Sequence, residues 1–173
     1  MSEEILEILF SEDQIRARVR NLAKEITADY RGRQLVLVSI LRGSVFFATD
    51  LARQIELPLA MDFLSISSYG EDSEGVVRIT KDLEENIAAK DVLVIEDIVD
   101  TGFTLRYLLR TLGGRNPESI AVCALLDRRA RRIIDIDLKY IGFEIPDKFV
   151  VGYGLDYRQR YRNLPYIGVV KPG

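Results

Sequence analysis

Two hydrophobic periods alternate along the chain. Ile15, Val19, Leu22 and Ile26 recur at the spacing of one helix face, and the pattern stops near Gly32. Ser11 followed by Gln14 reads as a capping box and predicts the start of that helix. LVLVSI at 35–40 is a short, continuously apolar run rich in β-branched residues, the signature of a strand buried on both faces. It leads through LRGS into a second helical pattern at Phe47, Ala48, Leu51 and Ile55. Segments 59–67 and 76–80 predict strands on either side of SYGEDSEG, a polar, glycine-bounded stretch with the composition of a mobile loop.

The order then repeats. VLVI at 92–95 feeds EDIVDTG, after which Leu105, Leu108, Leu109 and Leu112 line a helical face that Gly113 and Gly114 terminate. SIAVCALL at 119–126 is a further apolar strand, and short ones follow at 139–142, 149–151 and 166–170. Strands alternating with helices predict an α/β fold with a mostly parallel, twisted sheet flanked by helices, extended by a smaller strand-rich region. With 173 residues, 47% of them hydrophobic, the chain suits one domain over 1–173 with a substantial core.

Composition narrows the chemistry. The formal charge of −3, from 24 basic and 27 acidic residues, excludes a global electropositive surface, so neither nucleic acid nor a membrane is an expected partner. Cys123 stands alone within IAVCALL, which predicts buried packing and suits a reducing cytosol. No apolar stretch approaches the roughly 20 residues of a bilayer span, and MSEEILEIL lacks the basic flank of a secretory signal, so the expected location is the cytoplasm. The sequence contains no histidine, which excludes Ser-His-Asp hydrolysis, Cys-His catalysis and histidine-ligated zinc and leaves carboxylates as proton carriers.

In an open parallel sheet, ligands gather beyond the carboxyl ends of the strands, where strand-to-helix turns present free N–H groups. Two turns carry candidate chemistry. In the later one, Asp100, Thr101, Gly102 and Thr104 precede the leucine-faced helix, and such small and hydroxyl residues at a helix start can cradle a phosphate monoester. Glu96 and Asp97 would repel phosphate, but they suit sugar hydroxyls and a divalent cation with oxygen ligands. The alternative is a set of solvated turn acids, with Asp100 and Thr101 merely capping the helix. In the earlier turn, Arg42 is a sensible diphosphate ligand, or else part of an ordinary turn.

VLVIEDIVDTGFT at 92–104 resembles the 5-phosphoribosyl diphosphate motif of type I phosphoribosyltransferases, in particular the hypoxanthine-guanine branch. The resemblance continues through SSYG at 67–70, GFEIPDKFVVGYGLDY at 142–157 and RNLPYIG at 162–168. It implies the type I fold, with a small hood built from the C-terminal part and the N-terminal segment. It also implies transfer of ribose 5-phosphate from 5-phosphoribosyl diphosphate to hypoxanthine or guanine, giving IMP or GMP, with Mg²⁺ as cofactor and a homodimer or homotetramer as the assembly. The phosphoribosyl-binding residues it implies are Glu96, Asp97, Ile98, Val99, Asp100, Thr101, Gly102, Phe103 and Thr104, with Asp100 as general acid or base near purine N7. Arg42, Gly43 and Arg162 would bind diphosphate; Arg128, Phe149, Val150 and Asp156 would bind the purine; and Glu96, Asp97 and Asp156 would hold the metal. Ser68 and Tyr69 would begin a lid that excludes water, and the Leu41–Arg42 peptide can be cis in such enzymes.

Two departures stand out. Arg128 occupies the position where the family has a lysine that donates to the purine 6-oxo group, and it presents a planar fork instead of a point charge. Its neighbours Arg129, Arg131 and Arg132 read as a solvated basic turn, and the lid between Gly70 and Gly75 is slightly short. A rival reading is a phosphoribosyltransferase-like nucleotide-sensing regulator that binds RNA or DNA, but that role calls for a broad basic face. GYGLDY lacks the third glycine of a dinucleotide fingerprint, and no Walker A motif is present.

Overall fold

The structure is a computed structural model that describes residues 5–69 and 76–172, without the side chains of Ser68, Tyr69 and Val76. The segment 70–75 of the expected lid lies outside the described residues. The chain runs β1 (Ile5–Phe10), α1 (Glu12–Asp29), β2 (Leu35–Leu41), α2 (Val45–Gln54), β3 (Leu59–Tyr69), β4 (Val76–Lys81), β5 (Asp91–Val99), α3 (Phe103–Gly113), β6 (Ser119–Asp127), β7 (Tyr140–Glu144), β8 (Val150–Val151) and β9 (Ile167–Val170). A turn of 3₁₀ helix at Arg129–Arg131 separates β6 from β7.

The main sheet has the order β4-β3-β2-β5-β6-β7, with every pairing parallel except β3 with β4. After β2 the chain builds outward through β3, then returns to place β5 on the other side of β2. The strand order therefore reverses between β2 and β5, and the turns that leave these two strands flank one crevice. Alternation along β2 sends Leu35 and Leu37 to a core shared with α1 and α2, and Val36, Val38 and Ile40 to a second core under α3. Being sandwiched between helices is why these central strands read as continuous apolar runs.

The capping box at α1 forms as expected: Gln14 N donates to Ser11 Oγ at 3.2 Å, and Ser11 N donates to Gln14 Oε1 at 2.8 Å. β1 is a strand that the hydrophobic pattern did not single out. It pairs antiparallel with β9, which pairs with β8, so the small sheet joins the two ends of the described chain. Among the described residues, no helix is long and apolar enough to cross a membrane.

Candidate active site

The crevice is built from the last residues of β5. Glu96 lines a cleft of about 300 Å³ with Ile98, Val99, Asp100, Thr101, Gly102 and Thr104, and Ile40, Leu41 and Ile66 share its wall. The Phe103 side chain is not part of that wall; Arg106 sits 5.8 Å from the centre of its ring. Gly102, at φ +93°, is the residue that leads into α3, and no side chain caps the helix, so neither Asp100 nor Thr101 serves as the cap. The amides of its first turn, which have no partner within the helix, are available to an anion. Clefts of about 420 and 450 Å³ lie elsewhere, so volume alone does not mark this site.

Asp97, the next residue along the pleat, points to the α2 side. A Cβ on Gly43 would lie 1.7 Å from Asp97 Oδ2, and one on Gly154 would lie 2.0 Å from the Gly43 carbonyl oxygen. The ends of β2, β5 and the segment after β8 thus meet at van der Waals distance only because two of the three contribute glycine. Gly154 also has φ +98°, a conformation that side chains with a Cβ disfavour. The Leu41–Arg42 peptide in this stack is cis. Arg42 is exposed, whereas Ser44 turns inward, donating to Ile40 O at 2.6 Å and sharing a hydrogen bond with Ser39 Oγ at 2.8 Å.

On the hood side, the half-buried Phe149 ring meets Tyr157 edge-on at 5.5 Å, and Val150 is buried in β8. Asp156 is already engaged: Oδ2 accepts from Gln159 N at 2.8 Å, and Oδ1 lies 3.1 Å from Arg162 Nη2. Arg162 Nη1 also donates to Gly154 O at 2.7 Å. Arg128 is only 5% exposed, and its Nε lies 3.4 Å from Asp100 Oδ1. Both of these atoms are buried and neither makes a hydrogen bond, so each keeps bonding capacity in the cleft.

Burial dominates the acid pair. It pushes the Glu96 carboxyl well above the usual carboxylate range, and the neighbouring Asp97 charge adds to the effect. Burial also raises Asp97 to about 6, against its bond from the Ile98 amide and the attraction of Arg162. Among the described residues the Glu96 side chain has no hydrogen-bond or ion-pair partner, and no group of three or more His, Cys, Asp or Glu is placed to hold a metal. A buried and a half-buried carboxylate short of positive charge nevertheless suit Mg²⁺, which binds through one or two protein carboxylates and otherwise through water and substrate oxygens.

The crevice thus gathers Glu96, Ile98 to Gly102 and Thr104, with Arg128 beside Asp100, but not the Phe103 side chain; Asp97 lies against Gly43, and Arg42, Arg162 and Asp156 stand together at the α2 side. Ser68 and Tyr69 end β3, paired with Val77 and Val76.

The basic turn after β6 is not uniformly solvated. Arg129 and Arg131 are exposed, but Arg132 is largely buried, ion-pairs with the buried Asp127 and donates from Nε to the Asp100 carbonyl at 2.9 Å. Arg128 N bonds Val99 O at 3.0 Å, and Ile133 N and Ile134 N bond Thr101 O at 3.0 and 2.9 Å. This segment therefore braces the turn between β5 and α3, a role that a run of arginines does not reveal. Gly154, Arg132 and Gln159 all escaped the sequence reading, because what matters in each is a neighbour distant along the chain.

The phosphoribosyl transferase domain family model matches residues 7–158. Hypoxanthine-guanine phosphoribosyltransferase of Mycobacterium avium is 49% identical over 177 residues, covering 98% of this chain and 87% of that protein. Hypoxanthine phosphoribosyltransferase of Salmonella typhimurium is 48% identical, covering 95% of each chain. A crystal structure of hypoxanthine phosphoribosyltransferase from Staphylococcus aureus superposes with a TM-score of 0.94 at 48% identity, covering 97% of this chain and 92% of that one.

Proposed function

The chain belongs to the phosphoribosyl transferase family, and we infer that it moves the 5-phosphoribosyl group of 5-phosphoribosyl diphosphate onto N9 of hypoxanthine or guanine, giving IMP or GMP and diphosphate. The observation that carries this reading is the single cleft in which Asp100 and the uncapped start of α3 stand together. A 5′-phosphate seated on the amides and hydroxyls of Thr101 to Thr104 brings the sugar, and the base beyond it, to that carboxylate.

In this assignment Arg42, the Gly43 amide and Arg162 hold the diphosphate, and Glu96 and Asp97 accept from the ribose hydroxyls. Glu96 and Asp97 would also hold Mg²⁺, which when bound neutralises charge on the leaving group; Asp156, held by Arg162 and Gln159, would complete its outer surroundings. Asp100 takes or returns the proton at purine N7, and Arg128, whose Nε makes no hydrogen bond, donates to the 6-oxo group. Phe149 stacks on the purine, Val150 offers main-chain groups to its edge, and Ser68 and Tyr69 begin the lid that keeps water from the cationic sugar.

The direct test is incubation with 5-phosphoribosyl diphosphate, Mg²⁺ and, separately, hypoxanthine, guanine, xanthine and adenine, following nucleotide formation. Turnover of hypoxanthine or guanine is expected, and no turnover of any purine would sink the reading. Exposed Leu6 and Ile8 on β1 and Phe46 on α2 support a homodimer or homotetramer, which sedimentation would resolve. The buried free thiol of Cys123 suits the cytoplasm.

A further inference from the structure

Arg42 and Arg162 converge on one atom. Arg42 Nη1 donates to Gln159 Oε1 at 3.0 Å, and Arg162 Nη2 donates to the same oxygen at 3.1 Å. Two guanidinium groups repel each other unless an acceptor stands between them, and both can only donate, so the face that Gln159 turns toward them must be its oxygen. The two cations are held very differently. Arg162 is anchored by Gly154 O and Asp156, whereas Gln159 is the only hydrogen-bond or ion-pair partner of the Arg42 side chain among the described residues.

The loop that delivers Gln159 is built for the purpose. Asp156 Oδ2 accepts its N–H, Tyr157 and Arg160 form a bridge around it, and both Arg158 and Gln159 have left-handed backbones at φ +51° and +65°. These conformations are disfavoured for residues with a Cβ, so the loop holds the amide in place at some conformational cost.

We propose that Gln159 is the placeholder of the diphosphate subsite: its amide oxygen occupies the position of a diphosphate oxygen between Arg42 and Arg162 and withdraws when diphosphate, free or within 5-phosphoribosyl diphosphate, arrives. This rests on the reading that these two arginines hold the leaving group. A neutral acceptor is well matched to the task. It keeps the two cations together without cancelling their charge, and phosphate oxygens, which form stronger charge-assisted bonds, displace it. A carboxylate at the same place would compete on equal electrostatic terms and resist displacement.

The test is calorimetric titration of inorganic diphosphate, at fixed Mg²⁺, into the wild type, Gln159→Ala and Gln159→Glu. Removing the competing oxygen is expected to tighten binding about threefold or more, and the carboxylate to weaken it about tenfold or more. Ribose 5-phosphate, which reports on the start of α3, should bind all three proteins equally and so verifies that the variants are folded. Unchanged or weaker diphosphate binding by Gln159→Ala overturns the proposal and makes Gln159 a scaffold that stays in place. If the wild type binds no diphosphate, or Arg42→Ala binds it as well as the wild type, the subsite assignment itself fails and takes the proposal with it.

Discussion

Asp100 and Arg128 face each other with opposite charges, yet their buried Oδ1 and Nε atoms make no hydrogen bond. Buried polar atoms left unbonded are unfavourable, and in the proposed assignment a 6-oxopurine offers both what they lack: a nitrogen that exchanges a proton and an oxygen that accepts. Asp100→Asn keeps the volume and removes the proton carrier, so turnover should fall about 10²-fold or more while the circular dichroism spectrum is retained. Near-normal turnover would assign the proton to water or another group. Gly43 makes a steric prediction of a different kind. Its missing Cβ would stand 1.7 Å from Asp97 Oδ2 and 2.7 Å from Asp97 Cγ, so Gly43→Ala must displace the carboxylate or the loop. Destabilisation of about 1–3 kcal/mol by urea unfolding is expected, together with weaker substrate binding; a variant of wild-type stability would mean that the stack yields easily.

At the scale of elements, the two turns owe their shape to neighbours far along the chain. The turn between β5 and α3 is braced by residues 128–134, with Arg132 joining the Asp127 carboxylate to the Asp100 carbonyl. Arg132→Ala leaves the buried Asp127 without its cation, and a loss of about 3–5 kcal/mol in unfolding free energy is expected, larger than for any exposed arginine of the same turn. A loss equal to that of Arg129→Ala would show the brace to be idle. The helices, by contrast, were legible in local sequence. The capping box at Ser11 and the period of Ile15, Val19, Leu22 and Ile26 predicted α1 correctly because a helix satisfies its bonds within itself. β1 was not legible: its residues are mostly half-buried or exposed, and its strand character comes from pairing with β9 at the other end of the chain.

For the whole molecule, the acid pair couples folding to pH. Asp97 is raised from 3.8 to about 6, so the folded state holds a proton that the unfolded chain has released across that window. Its contribution to stability is therefore full below the ordinary carboxylate value and lost as pH rises through about 6. In chelator, Asp97→Asn and the wild type should melt together below the ordinary carboxylate value of 3.8, and the wild type should melt lower than the variant by about pH 7.5. Mg²⁺ added at the higher pH should raise the wild type more than the variant. A melting difference that does not change with pH would mean that the Asp97 charge is compensated within the protein.

The amino-acid sequence by itself determined the alternation of strands and helices, the parallel α/β class and the position of the turn between β5 and α3. Each of these depends on local periodicity, on capping and on the few residue types that can form a tight strand-to-helix turn. Tertiary structure alone decided that Glu96 and Asp97 stand side by side with little positive charge around them, that Gly43 and Gly154 let three segments touch, that Arg132 bonds the Asp100 carbonyl and that Gln159 stands between Arg42 and Arg162. Those facts depend on distances between segments tens of residues apart and on the low polarizability of the surroundings they create. Neither quantity is a property of any local stretch of sequence.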